Sequence, residues 1–538
     1  MTQYVAEQFT NEEADILRRY FTNLDQPVFA LVNLPEVVKG ALFARYSRSA
    51  KSLRRLFLDE FVGELDISGD VSIDATVGLR RAEELYDRVF FEYGDDSVAQ
   101  LGGVHLACEQ ASNILTKVLE WGRLMSYLEQ STRYIDYLAR IGGRYRYYRD
   151  PQVGESPLSG RYVSDMDRMF EAYGQLLPAM TDFYREHTPR DSDSSDFAYR
   201  QAIRAKALDA VRGVLPAATV SNVGIYGTGQ SYELLLLRMR AHELPEVQAY
   251  AELMLTELRK VIPSFLKRVD LEDRGVAWSR YMGDVQESME SVVDYLLPAD
   301  LPIDEAPTVR LVDFDPDAEI KMVASMLYPY THFSEEQLER EVRAMGAEDR
   351  LSVVRAYVGE RANRRHKPGR ALERSFYRFD ILADYGAFRD LQRHRMLTLE
   401  WQKLSPRHGF TLPESVDAAG CAPVFKEAMD RSADLYGLLN RDFPEQAPYA
   451  VSFAYKVRFN MSINARAAMH LIELRTTPQG HSVYREIGQD MWQLIRDEAG
   501  HPAVAEMMRF VDLSEEPPLG RLDAELRAEE RRQVRERA

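Results

Sequence analysis

With 538 residues, 45% of them hydrophobic and 28% charged, the chain has the composition of a soluble globular protein too long for one ordinary domain, and two or three domains are expected. A formal net charge of −17 opposes nucleic-acid backbones, so a bound anion must be gripped by a local basic cluster, which favours a small phosphorylated ligand over a polymer. Two distant cysteines, Cys108 and Cys421, suggest neither a disulfide framework nor a zinc site, no apolar run is long enough to span a bilayer, and no signal peptide is expected, so a reducing, cytoplasmic setting fits.

Along the chain, apolar residues recur at three and four positions in AEELYDRVFFEYG (82–94), ACEQASNILTKVLEWGRLMSYLEQ (107–130), the long stretch 231–262 and INARAAMHLIELR (463–475), each of which predicts helix. Shorter runs, YRYYRD (145–150), TVRLVDF (308–314) and FYRFDIL (376–382), predict some sheet. The seam rich in proline and acid at 295–319 reads as a linker between halves of similar size, 1–300 and 301–538. From Ser514 the tail is highly charged and predicts a solvated helix.

Halves of similar size invite a repeat search. Residues 115–151 run from apolar helix through a basic element to an aromatic strand and a proline, and residues 386–415 follow the same order. Further on, 211–240 answers 447–475, although identity between the halves is low.

Three constellations carry chemistry. Arg393, His394 and Arg395 precede MLTLEW, which reads as a partly buried helix where unpaired guanidinium groups are costly; a solvated helix end is the plainer reading. Ser131 and Arg133, two apart in EQSTRY, face the same way on a loop or strand and suit a phosphate, or simply form a polar turn. Asn464, Arg466, His470 and Arg475 fall in one helix, with His470 four after Arg466. GTGQSY (227–232) lacks a third glycine and a convincing leading strand, so no dinucleotide turn is expected. No ligand set gathers around His470 and Glu473, so no metal is expected, and nothing suggests a covalent triad.

Together these stretches resemble the flavin-dependent thymidylate synthases, whose signature reads RHRxxSxNExSxRY. The second half has its head, Arg393-His394-Arg395, but Lys403 and Ser405 stand at the later serine and arginine positions. The first half has the tail, Ser126, Tyr127, Glu129, Ser131, Arg133 and Tyr134, but its head is Trp121-Gly122-Arg123. Asn464-Ala465-Arg466 and Arg475 match the family's Asn-Ala-Arg helix, where the first half keeps only Arg240. Arg212, before Val-Leu-Pro, matches an arginine that the second half lacks. The early HxSxxEH-type string is poor in both halves: Ser97 survives in one, and His366 and Glu373 in the other.

The resemblance implies a helix-rich α/β (α+β) fold of two tandem repeats, each a mixed sheet packed with long helices. The implied activity is methylation of dUMP to dTMP by methylenetetrahydrofolate, with FAD as cofactor and a reduced nicotinamide, NADPH, as reductant. Arg393, His394 and Arg395 take the catalytic role and, with Asn464, Arg466, His470, Ser97 and His366, hold the flavin. Glu129, Gln130, Ser131, Arg133, Arg212, Asp390 and Arg475 take the nucleotide. Each element missing from one half survives in the other, so Arg133 and Arg393, 260 positions apart, are expected to line one pocket. A homodimer of two-repeat chains follows from the family's tetramer, and neither nucleic acid nor membrane is an expected partner. Asp390 departs from a family glutamine and sets a carboxylate near the pyrimidine unless Arg389 or Arg393 pairs with it. The alternative is a catalytically lapsed paralogue that binds flavin or nucleotide in a regulatory or structural role.

Overall fold

The computed structural model describes residues 4–34, 36–60, 62, 100, 102–190, 194–298, 301–304, 307–515 and 519–537. The chain divides into two compact units. Unit 1 comprises Met1–Gly174, Leu215–Ile303 and Arg431–Val451; unit 2 comprises Gln175–Val214, Asp304–Asp430 and Ser452–Ala538. Each unit therefore takes in a stretch from the other half of the sequence.

Unit 1 holds a four-stranded sheet of β1 (Val28–Leu31), β2 (Gly103–Ser112), β3 (Ser126–Glu129) and β4 (Val220–Thr228) in the order β1-β2-β4-β3. Unit 2 holds β5 (Val309–Phe314), β6 (Phe376–Asp384), β7 (Thr398–Trp401) and β8 (Lys456–Asn464) in the order β5-β6-β8-β7. The identical strand order bears out the helix-rich tandem-repeat fold. Within the sheets, however, the described ladders are all antiparallel rather than mixed.

The last strand of each sheet runs straight into a capped helix. Thr228 Oγ1 accepts from Ser231 N at 3.3 Å to open Gly229–Arg240, and Asn464 Oδ1 accepts from Ala467 N at 2.8 Å to open Ala465–Arg475. In β8 burial alternates, with Val457, Phe459, Met461 and Ile463 inward. In β6 Tyr377, Phe379, Ile381 and Ala383 are buried. Each large side chain so buried contributes about 1.5–3 kcal/mol.

Several local expectations change. The helix expected over 107–130 is strand β2, a short helix Leu115–Leu119, and strand β3. Strand β2 is central and buried over most of its length, so it loses period-two alternation, and its register shifts between Cys108 and Ala111, where Gln110 adopts φ 55. MLTLEW contains strand β7 rather than a helix, because its backbone pairs with β8 from Thr398↔Ser462 to Trp401↔Phe459. The runs at 308–314 and 376–382 do form β5 and β6, whereas 145–150 contributes only an isolated bridge, Tyr147↔Thr219. A strand, β4, does lead into GTGQSY, and its Thr228 caps the following helix. The charged tail forms Leu522–Arg537, which rests on the helix Asp196–Val211 through Ser195–Glu529 and through Arg521 and Asp209 at 3.9 Å. The helix expected over 82–94 and the candidate Ser97 lie outside the described residues. No helix of the described residues is long and apolar enough to cross a membrane.

Candidate functional site

Strand β6 ends at Asp384, whose Oδ1 accepts from Ala387 N at 2.8 Å and so starts the fully buried helix Tyr385–Leu391. One residue, Gln392, separates the end of that helix from the Arg-His-Arg triplet, and His394 N donates back to Leu391 O at 3.2 Å. The triplet is therefore held in a turn between a buried helix and strand β7.

Three sequence candidates, Arg212, Arg393 and Arg475, converge on Asp390. Its carboxylate lies 3.5 Å from Arg212 Nη1 and 3.7 Å from Arg393 Nη1, and its carbonyl accepts from Arg475 Nη2. Arg475 Nε also donates to His394 Nε2 at 3.0 Å, and the His394 and His470 rings stand 5.7 Å apart. Burial, with Arg475 and His470 nearby, pushes His394 well below the usual histidine range. Burial, with Lys367 and Arg364 close by, lowers His470 to about 4. The His394 ring is neutral, and the guanidinium donating to Nε2 leaves its proton on Nδ1. The Arg389 guanidinium sits 4.7 Å from the Phe453 ring centre.

Arg212 directly follows the helix Asp196–Val211 within unit 2, is 4% exposed, and its Nη2 has no hydrogen-bond partner among the described residues. Glycine at 386 makes room for it, because a Cβ there would stand 3.4 Å from that nitrogen and 3.0 Å from Asp384 Oδ1. Arg212, Asp384, Gly386, Phe453 and Ser482 line a cavity of about 490 Å³, within the range of a small-ligand site. Burial pushes the Asp384 carboxyl up to about 6, against the pull of Arg212. An orphan buried guanidinium nitrogen beside such a cavity suits an anionic oxygen.

The remaining second-half candidates are engaged locally. Arg466 donates to Pro368 O at 2.9 Å and pairs with Glu373 at 3.0 Å, and the Asn464 side chain caps its own helix. His366 Nδ1 accepts from Ala362 N at 3.4 Å, while its carbonyl takes Arg361 Nε at 2.6 Å. Arg395 is exposed at the end of the turn.

In unit 1, Glu129 lies 3.3 Å from buried Lys117, which also holds Glu120 at 2.5 Å. The Gln130 amide donates to Ser49 O at 2.5 Å and accepts from Arg146 at 3.0 Å. Ser131 and Arg133 share one turn, with Arg133 N donating to Ser131 Oγ at 3.3 Å, and Arg133 is buried.

Sequence reasoning passed over Asp384, Gly386 and the Arg361–Glu473 pair. Asp384 carried a signal, an N-cap residue closing an alternating strand. The ion pair carried none, because its partners stand 112 residues apart. At the matching end of β2, Ser112 donates its N and Oγ to Glu246 at 2.9 and 2.6 Å, and Tyr449 Oη donates to the same carboxylate at 2.7 Å. Side chains of unit 1 itself thus fill that place.

The profile of the thymidylate synthase complementing protein family matches residues 44–264 and 310–501, once in each half. The chain belongs to that family. A UPF0159 protein of Chlamydia muridarum is 40% identical over 524 residues, covering 96% of this chain and 98% of its own. The UPF0159 protein Ta1429 of Thermoplasma acidophilum is 31% identical over 516 residues, covering 91% and 98%. Both relatives span the two family matches, so the tandem arrangement is shared with them. A solved structure of flavin-dependent thymidylate synthase ThyX from Helicobacter pylori, complexed with FAD and dUMP, is 17% identical, covers 37% of this chain and 99% of its own, and has a TM-score of 0.28.

Proposed function

We propose that this family member is a cytoplasmic FAD-dependent thymidylate synthase that methylates dUMP to dTMP, with methylenetetrahydrofolate as methylene donor and NADPH as reductant. The observation that carries the reading is Arg212: a buried guanidinium with one nitrogen unpartnered among the described residues, beside a cavity of small-ligand size and the Arg393–His394–Arg475 cluster. When bound, FAD supplies the hydride and carries the methylene; the chain supplies orientation and charge. Arg212 is assigned to nucleotide phosphate, and Ser131 and Arg133 are assigned the same role. Arg393 and Arg395 counter negative charge on the flavin and pyrimidine, and neutral His394 offers a donor at Nδ1. Asn464, Arg466, His470, His366 and Ser97 complete the flavin set, and Glu129, Gln130, Asp390 and Arg475 the nucleotide set.

Asp390 answers to its neighbours. With Arg212 and Arg393 both within 4 Å, its charge is countered, which removes the repulsion expected of a lone carboxylate beside the pyrimidine. The same pairing favours a second reading, a lapsed paralogue, because it occupies one nitrogen of the phosphate arginine. Assay of purified protein separates them. Yellow protein that bleaches with NADPH and converts dUMP to dTMP supports the enzyme, and protein without turnover, whether or not it carries flavin, supports the paralogue. Arg395→Ala with Arg466→Ala is expected to release flavin, whereas Arg123→Ala and Lys403→Ala leave it bound; equal loss in all three contradicts the flavin assignment.

A further inference from the structure

Between the two family-matched stretches lies a helix, Ala277–Leu296, that the proposed chemistry does not use. It leans on unit 1 along one edge, where Ser279 Oγ donates to Leu237 O and the Gln286 amide to Glu243, both at 3.1 Å. No residue of this helix is buried. Its outward face is nevertheless apolar, and the apolar positions mirror one another about Glu287. Trp278 and Leu296 stand nine residues to either side of it, Tyr281 and Val293 six, Val285 and Met289 two. At about 100° per residue, all six lie within roughly 60° of the line opposite Glu287. Arg280, Asp284, Glu290 and Asp294 fall on the Glu287 side, so the stripe itself carries no charge.

We infer that this helix pairs antiparallel with the same helix of a second copy of the chain, about a two-fold axis level with residue 287. A two-fold contact must be self-complementary, so that if one residue meets another, the second meets the first across the axis. The mirrored stripe satisfies this condition: Trp278 meets the partner's Leu296, Tyr281 the partner's Val293, and Val285 the partner's Met289. Antiparallel packing also sets each positive helix end beside a negative one. A charged peptide partner would find nothing on the stripe to select it. The size is adequate too. Trp278 is 49% exposed, Tyr281 64% and Leu296 64%. At roughly 150–250 Å² per large side chain, the six present on the order of 600 Å², near the roughly 800 Å² per partner of a stable interface. An apolar patch of that extent marks an interaction surface. The inference does not depend on the proposed enzymatic activity.

The test is the mass of the full-length chain in solution, by sedimentation or light scattering at about 10 μM. A dimer is expected. Val285→Glu with Met289→Glu sets like charges face to face and is expected to weaken the dimer at least 100-fold, leaving monomer. Val285→Glu with Met289→Lys places each glutamate opposite the partner's lysine only in the antiparallel register, and the dimer is expected to return. Because it alters the same two positions, that recovery separates lost pairing from lost folding. A monomeric parent chain, a Glu/Glu variant that stays dimeric, or a Glu/Lys variant that stays monomeric each overturns the inference.

Discussion

Replacing Arg361 by methionine is expected to destabilise unit 2 severely. Arg361 Nη1 and Nη2 each lie 2.6 Å from an oxygen of Glu473, and the two side chains are 2% and 1% exposed. The same guanidinium donates to His366 O at 2.6 Å and to Met507 O at 2.8 Å, tying the loop that carries His366 to the helix Ala465–Arg475. Methionine fills much of the volume but leaves the Glu473 carboxylate buried with only a long contact from Phe510 N at 3.4 Å. Removing one partner of a buried pair costs about 3–5 kcal/mol. With roughly 2–4 °C of melting temperature per kcal/mol for a domain of 150–250 residues, the midpoint should fall on the order of 10 °C. Calorimetry or thermal circular dichroism reads the shift directly. Pairing the change with Glu473→Leu removes the stranded charge, so the double variant should recover part of the loss. A shift under about 2 °C for the single change, or a double variant whose loss is the sum of both singles, would refute the reasoning.

Arg212→Ala removes a charge-assisted contact of about 1.5–3 kcal/mol, so dUMP affinity by calorimetry should fall roughly tenfold or more while flavin stays bound; unchanged affinity would remove Arg212 from the phosphate site. Gly386→Ala places a Cβ 3.4 Å from Arg212 Nη2 and 3.0 Å from Asp384 Oδ1, so nucleotide affinity should drop several-fold with little change in melting temperature. Burial raises the Glu246 carboxyl from 4.5 to about 7, so the folded state holds its proton more tightly than the unfolded one. Stability from this group is complete below about pH 4.5 and is lost as pH rises through about 7, by up to about 3 kcal/mol. Glu246→Gln should flatten the melting-temperature profile across that window, and an unchanged slope would assign it to other groups.

The sequence by itself determined the elements whose signals are local. Asn464 at the start of an apolar period and the alternation of FYRFDIL specify their helix and strand without reference to distant residues. The Arg393–His394–Arg395 triplet, the tandem order of elements and the family were legible for the same reason: each is carried by neighbours in sequence. Tertiary structure decided the rest. MLTLEW and ACEQAS are short apolar runs that suit helix or strand alike, and the backbone of β8 and the buried centre of the first sheet settle them as strands. Only the fold shows that Asp390 is countered by Arg212, 178 residues away, or that Arg361 meets Glu473. Such pairs form because a buried charge must find its opposite wherever the folded chain brings one, and no spacing along the sequence records that distance.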